Sequence, residues 1–274
     1  MTEQSAEPQV VATVADSIMT ITLNRPEQGN GWTAEITRLY FALLEQAARS
    51  AEVRVIVVTG AGKAFCVGGD GQKLDAASKN DTTMNAARTP YWMPLRVGKP
   101  VIAAINGACF GIGLQQALCA DIRFASEEAK FSTAYARRGL VAEFGMSWLL
   151  PRLVGTGHAM DLLLSARLVR AAEAERMGLV NRVVPAADLM DETLAYARQL
   201  VEHCAPQSMR DIKRQCYEDL MSDLFVSYER SDRMLEDAAS KPDFREGVSS
   251  WLEKRPPAFG PLPETQAFID FIPG

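Results

Sequence analysis

Histidine is nearly missing from this chain of 274 residues: only His158 and His203 occur. Five cysteines (Cys66, Cys109, Cys119, Cys204, Cys216) are odd in number and show no Cys-x-x-Cys spacing. These scarcities exclude a disulfide framework and a zinc site. Four of the five sit in apolar-patterned stretches, so buried free thiols are expected. A membrane-length hydrophobic run is also lacking. The most apolar stretch, residues 99–125, is broken by Asn106, Gly107, Gly111, Gly113, Gln115 and Gln116, which rules it out as a span. Positive charge is in deficit, with 29 Lys and Arg against 34 Asp and Glu and a formal net charge of -5. A broad surface for nucleic acid or anionic membrane is therefore not expected. The first nine residues are polar and acidic, without the apolar core of a secretion signal, which points to a soluble cytoplasmic protein.

What remains is ordinary globular composition, 47% hydrophobic and 23% charged, enough for one large domain or a large one with an appendage. Residues 10–23 alternate around Asp16-Ser17 and predict a β-hairpin closed by Asn24-Arg25-Pro26. Thr33 is placed to cap a helix whose apolar residues Ile36, Leu39, Tyr40, Leu43, Leu44 and Ala47 share a face. Residues 53–58 form a β-branched run suited to a strand buried on both sides. Residues 75–92 are polar and mixed, a segment placed to act as a lid. Residues 147–154 read as helix despite Pro151. Residues 171–177 make a short helix stopped by Gly178, and residues 179–184 a strand stopped by Pro185. Beyond residue 187 the pattern is helical, and the tail after Arg255 is proline-rich and expected to be extended. The organisation predicted is an α/β core over 1–205, a helical region over 206–258 and a tail over 259–274.

Two glycine-rich turns carry the chemistry. One lies in Ala64-Phe65-Cys66-Val67-Gly68-Gly69-Asp70-Gly71 and the other around Gly111-Ile112-Gly113. Neither matches a phosphate loop (GxxxxGK[ST]) or a dinucleotide fingerprint (GxGxxG). Each follows an apolar strand, and a helix start leaves backbone N–H donors unshielded. A single turn of this kind is as readily a plain strand-to-helix connection. Two of them could aim the N–H groups of Gly69 and Ile112 at one oxygen and stabilise a developing oxyanion.

The chain resembles the crotonase, or enoyl-CoA hydratase/isomerase, superfamily. The resemblance rests on Leu23-Asn24-Arg25-Pro26, on residues 59–66 (TGAGKAFC) with Gly68-Gly69-Asp70, and on residues 99–107 (KPVIAAING). Gly111, Gly113, Ala120-Asp121-Ile122, Ala174, Met177-Gly178-Leu179-Val180, residues 243–247 (DFREG) and residues 253–256 (EKRP) extend it. It implies an α/β fold, a spiral of ββα units followed by a C-terminal helical oligomerisation region, forming a homotrimer or a dimer of trimers. It implies a coenzyme A thioester as ligand and no separate cofactor or metal. The oxyanion hole falls at Gly69 and Ile112, and the coenzyme and acyl group near Ala64, Phe65, Val67, Gly68, Asp70, Gln115 and Tyr135.

The departures are informative. Where hydratases of the superfamily carry two glutamates, this chain has Gln115 and Tyr135. An amide has no basic lone pair near neutral pH, and a phenol titrates near about 10. Glu143, in residues 138–145 (RGLVAEFG), falls where enoyl-CoA isomerases of the superfamily carry a lone catalytic carboxylate. Leu140, Val141 and Phe144 are expected to desolvate it and raise its pKa. The reaction implied is a shift of an enoyl-CoA double bond. A hydratase or hydrolase with atypical residues, and a thioester-binding protein without turnover, are the alternatives. Asp70 is placed to cap a helix. Asp121 reads as a buried hydrogen-bonder, Arg137 and Arg138 as partners for Glu143 or another carboxylate, and His158 as a surface residue. Lys254 and Arg255 are candidates to meet the coenzyme phosphates.

Overall fold

The computed structural model describes residues 7–71, 75, 79 and 90–270. It opens on the expected hairpin, β1 (Val10–Ala15) antiparallel to β2 (Ile18–Leu23). Asp16 and Ser17 close it at φ 51° and 59°, the left-handed pair that matches a two-residue turn to strand twist. In α1 (Ala34–Arg49) the Thr33 Oγ1 accepts from the Ile36 N–H at 3.0 Å, a cap worth about 1 kcal/mol.

From there the chain repeats one step between two sheets. β3 (Val55–Gly60) is followed by β4 (Ala64–Cys66), β5 (Val101–Ile105) by β6 (Ala108–Phe110), and β7 (Ile122–Ser126) by β8 (Lys130–Ser132). β9 (Val169–Arg170) and β10 (Arg182–Val184) come later. Among the described residues one sheet runs β1-β2-β3-β5-β7-β10 and the other β4-β6-β8-β9. The long member of each pair joins the first sheet and the short member the second. This is the spiral that the sequence implied. Every residue of β3 and β5 is buried, as a parallel sheet covered on both faces requires.

Further helices are α2 (Met93–Arg96), α3 (Ile112–Leu118), α4 (Met146–Ser165), α5 (Ala171–Arg176), α6 (Leu189–His203), α7 (Pro206–Asp219), α8 (Leu224–Ser240) and α9 (Pro242–Glu253). α6 covers one face of the long sheet, where Leu189 and Ala197 pack with Val55, Val57, Ile102 and Phe124. α7 is tied to the core by Asp121. This carboxylate accepts from the Val101 N–H (2.8 Å), Lys213 Nζ (2.8 Å) and Tyr217 Oη (3.2 Å). It is the hydrogen-bonder the sequence suggests, though half-buried rather than buried.

Several expectations are corrected. The strand expected over 179–184 is only Arg182–Val184, because the Leu179 carbonyl is taken by the Arg123 guanidinium at 2.9 Å. The helix expected over 147–154 continues to Ser165 across a break at Gly155, φ 77°. The tail is not simply extended. It makes a 3-10 turn at Glu264–Gln266 and returns to α2, where Gly98 N–H donates to Ala267 and Ile269 N–H to Arg96. Cys66, Cys109 and Cys119 are buried, whereas Cys204 is half-buried and Cys216 exposed. His158 is exposed, as expected. The proposed lid over 75–92 lies largely outside the described residues. Among the described residues no helix is long and apolar enough to cross a membrane.

Candidate active site

The two glycine turns are neighbours because their strands are. β4 and β6 pair in parallel, Cys66 opposite Cys109, and parallel strands lie about 4.8 Å apart. Both deliver their C-terminal turns to the same edge. A Cβ placed on Gly68 would lie 3.4 Å from the Phe110 carbonyl oxygen, and one on Gly111 3.8 Å from the Gly68 Cα. Gly111 takes φ 49°, ψ -119°, a conformation that costs a side-chain-bearing residue dearly. At Gly113 a Cβ would meet the Cys66 carbonyl at 2.4 Å, so only glycine lets α3 press its backbone onto β4.

These turns bring Gly68 and Gly111 together, and Gly69 and Ile112 are the next residue along each. Trp32 pairs across Gly69 through the Gly68 carbonyl (2.8 Å) and the Asp70 N–H (3.1 Å), which keeps the Gly69 N–H out of the ladder. Ile112 opens α3, so its N–H is one of the first-turn donors that have no acceptor within the helix. Beside them, Ala64 and Phe65 are buried in β4 and Val67 is half-buried. The Val67 N–H is spent on the Gly29 carbonyl at 3.0 Å. Asp70 pairs with Arg25 at 3.0 Å; the helix it was expected to cap lies largely outside the described residues.

Asn30 gives no hint of a role in the sequence. Fully buried, it accepts from the Arg25 N–H and donates to Ala61 and Ala64, and so fixes the first turn to the strand before it.

Glu143 sits half-buried in the loop before α4. Burial lifts its carboxyl above the usual 4.5, the direction the sequence suggests. The residues responsible differ: Leu140 and Phe144 pack on the core, but Val141 points outward and is 78% exposed. Arg137 does not pair with Glu143; it donates to the Ser165 carbonyl at 3.0 Å. Neither Arg137 nor Arg138 lies within 4.0 Å of a carboxylate among the described residues, because the 3-10 turn Ala136–Arg138 exposes both. Arg255 meets Glu246 and Glu253 and forms a local surface cluster.

Gln115 turns out to hold the loop of Glu143. Fully buried, it donates through Nε2 to the Phe144 carbonyl at 3.0 Å. Its Oε1 accepts from Gln116 Nε2 at 2.6 Å, which also reaches the Tyr91 carbonyl at 2.7 Å. The Tyr91 ring lies 4.2 Å from that of Phe144. Phe144 and Gly145 both take positive φ, 51° and 79°, so the loop reverses just after the carboxylate and needs this support. Sequence periodicity cannot reveal such a bond, since it spans 29 positions. Tyr135 is buried nearby. Desolvation pushes its phenol well above the ordinary range, and the Glu143 carboxylate adds to the push.

A protein-family model described as enoyl-CoA hydratase/isomerase matches residues 13–261. The chain belongs to the enoyl-CoA hydratase/isomerase family. A probable enoyl-CoA hydratase of Rhodobacter capsulatus is 36% identical over 252 residues, 90% of this chain and 95% of that protein. The 1,2-epoxyphenylacetyl-CoA isomerase of Escherichia coli is 36% identical over 264 residues, 91% and 97% of the two chains. The crystal structure of a probable enoyl-CoA hydratase/isomerase from Mycobacterium abscessus superposes with a TM-score of 0.85 at 30% identity, covering 92% of this chain and 99% of that one. Hydratases and an isomerase thus stand side by side among the family relatives, and membership alone does not choose between them.

Proposed function

We propose that this family member shifts the double bond of an enoyl-CoA thioester. The observation that carries the reading is a half-buried, desolvated Glu143, with an amide and a phenol where a second carboxylate would be needed to activate water. In the proposed reaction Glu143 takes a proton from Cα of a 3-enoyl thioester. The C–H electrons move into the dienolate, whose oxygen is held by the Gly69 and Ile112 N–H groups. The same carboxyl then returns the proton to Cγ, leaving the 2-enoyl thioester and a carboxylate. No separate cofactor takes part, the coenzyme lies along Ala64 to Asp70, and the setting is cytoplasmic.

The test is a 3-enoyl-CoA followed by ultraviolet absorbance. Growth of the conjugated thioester, with coenzyme A retained and no water added, is the expected result. Hydration of a 2-enoyl-CoA, release of coenzyme A, or binding without turnover would each replace this reading by another.

The tether to the Phe144 carbonyl makes Gln115 a positioning residue for that base. Gln115→Leu is expected to lower kcat by about 10²-fold, the size of effect that a misplacement near 1 Å produces, with KM little altered. Steady-state kinetics on the same thioester check it.

The C-terminal helices further support the proposed homotrimer or dimer of trimers. Met221, Leu224, Phe225, Trp251 and Leu252 are all strongly exposed on the single chain, more apolar surface than a lone soluble chain usually leaves open. Light scattering is expected to give three or six times the 30.0 kDa chain mass; a monomer would refute it.

A further inference from the structure

Tyr135 is only 5% exposed, and its hydroxyl is wholly buried with no hydrogen-bond partner among the described residues. Buried hydroxyls are nearly always paired, and an unpaired one is costly. The chain also accepts strain to place this one: Ala134, immediately before it, takes φ 62°, unfavourable for a residue with a Cβ.

Its position is bounded from two sides. Three residues upstream, the Ser132 carbonyl accepts from the Gly111 N–H at 3.0 Å, which joins this segment to the second glycine turn. On the other side the Glu143 carboxylate adds to the upward push that burial gives the phenol. The Tyr135 carbonyl accepts from the Leu140 N–H at 3.0 Å, so the loop carrying Glu143 starts from Tyr135 itself. Main-chain bonds thus tie the Tyr135 segment to the second glycine turn on one side and to the loop of Glu143 on the other, beside the path an acyl chain would take if the proposed function holds.

We infer that the Tyr135 hydroxyl is a specificity element that donates a hydrogen bond to an oxygen carried on the acyl chain, so that the substrates of this protein are oxygenated acyl-CoA thioesters rather than plain hydrocarbon ones. The phenol stays protonated, hence it donates and does not act as a base. The thioester oxygen already has two backbone donors, which leaves a substituent oxygen near the carbons served by Glu143 as the acceptor. Sites built to hydrogen-bond a substrate hydroxyl discriminate strongly against analogues that lack it.

This inference rests on the proposed site but not on turnover, so it is tested by binding. Dissociation constants are measured for hexanoyl-CoA and for its 3-hydroxy and 4-hydroxy derivatives, none of which has a double bond to move. Wild type is expected to bind one hydroxy derivative at least about tenfold more tightly than hexanoyl-CoA. Tyr135→Phe is expected to bring that ratio within about twofold of one, with an unchanged or higher melting temperature, because no protein group loses a partner. A ratio near one in wild type, a preference that survives in Tyr135→Phe, or an equal weakening of all three ligands overturns the inference. So does a clear drop in melting temperature, which would mean that the hydroxyl has a partner inside the protein. Failure of the 3-enoyl-CoA assay leaves these binding ratios readable, and their failure leaves the double-bond shift untouched.

Discussion

Glu143→Gln is expected to lower kcat on a 3-enoyl-CoA by about 10³-fold, the middle of the range for a positioned general acid–base. The loss should be severe because in the proposed reaction the same carboxyl takes the proton and gives it back, and an amide does neither. KM should change little, since in the proposed site the thioester is held by backbone donors and by the coenzyme. Burial raises the Glu143 carboxyl above 4.5, and the base works only when ionised. Accordingly kcat/KM should fall, as pH drops, at a value above the ordinary glutamate range. The same shift fixes a control. A carboxyl whose folded pKa exceeds its unfolded value favours the folded state below the unfolded pKa, and loses that contribution as pH rises through the folded pKa. At neutral pH the ionised Glu143 therefore opposes folding, and Glu143→Gln should melt no lower than wild type. Retention of kcat within tenfold would remove Glu143 from the mechanism.

The largest stability effect is expected at Asp121. Lys213 reaches it from α7 with a side chain only 7% exposed, and its other acceptors are the Pro94 and Lys99 carbonyls at 3.0 and 3.2 Å. Asp121→Ala removes the only carboxylate that Lys213 contacts among the described residues. Breaking a buried pair from one side costs about 3–5 kcal/mol, or a fall in melting temperature on the order of 10 °C. The Val101 N–H and the Tyr217 hydroxyl lose an acceptor as well. Because most of the loss comes from the stranded ammonium, Asp121→Ala combined with Lys213→Met should recover about half of it. Calorimetry on the two single variants and the pair measures the coupling. An Asp121→Ala protein as stable as wild type would show that α7 is anchored by other contacts.

The parts of this molecule that were legible beforehand are those decided within a few residues. The Asp16-Ser17 turn, the Thr33 cap and the β-branched strand at Val55–Gly60 each follow from local backbone and side-chain preferences. The glycine turns were visible for the same reason. Their meeting was not, because it depends on β4 lying beside β6, a pairing across more than forty positions. Gln115 shows the limit most clearly. Its type told that water activation was in doubt, but its contact with the Phe144 carbonyl is made only when α3 and the loop fold together. Arg137 and Val141 were misassigned because a short 3-10 turn at Ala136–Arg138 rotates that segment outward, and one-residue differences in loop phase leave no periodic trace. The tail misled for another reason: its prolines forbid a long helix, yet they permit the return that buries Leu262 and Ile269.

The pairing of β4 with β6 has a consequence for how such a protein can change. The spacing of the two proposed amide donors is inherited from the interval between adjacent strands, a quantity no single side chain controls. The acid stands on a separate loop, held by Gln115 from the buried helix α3. With the proposed roles, substitutions at 115, 135 and 143 would alter the acid and its surroundings while the strand pairing that sets the two turns stays as it is. A protein built this way would change its chemistry at the acid and keep the proposed hold on the thioester.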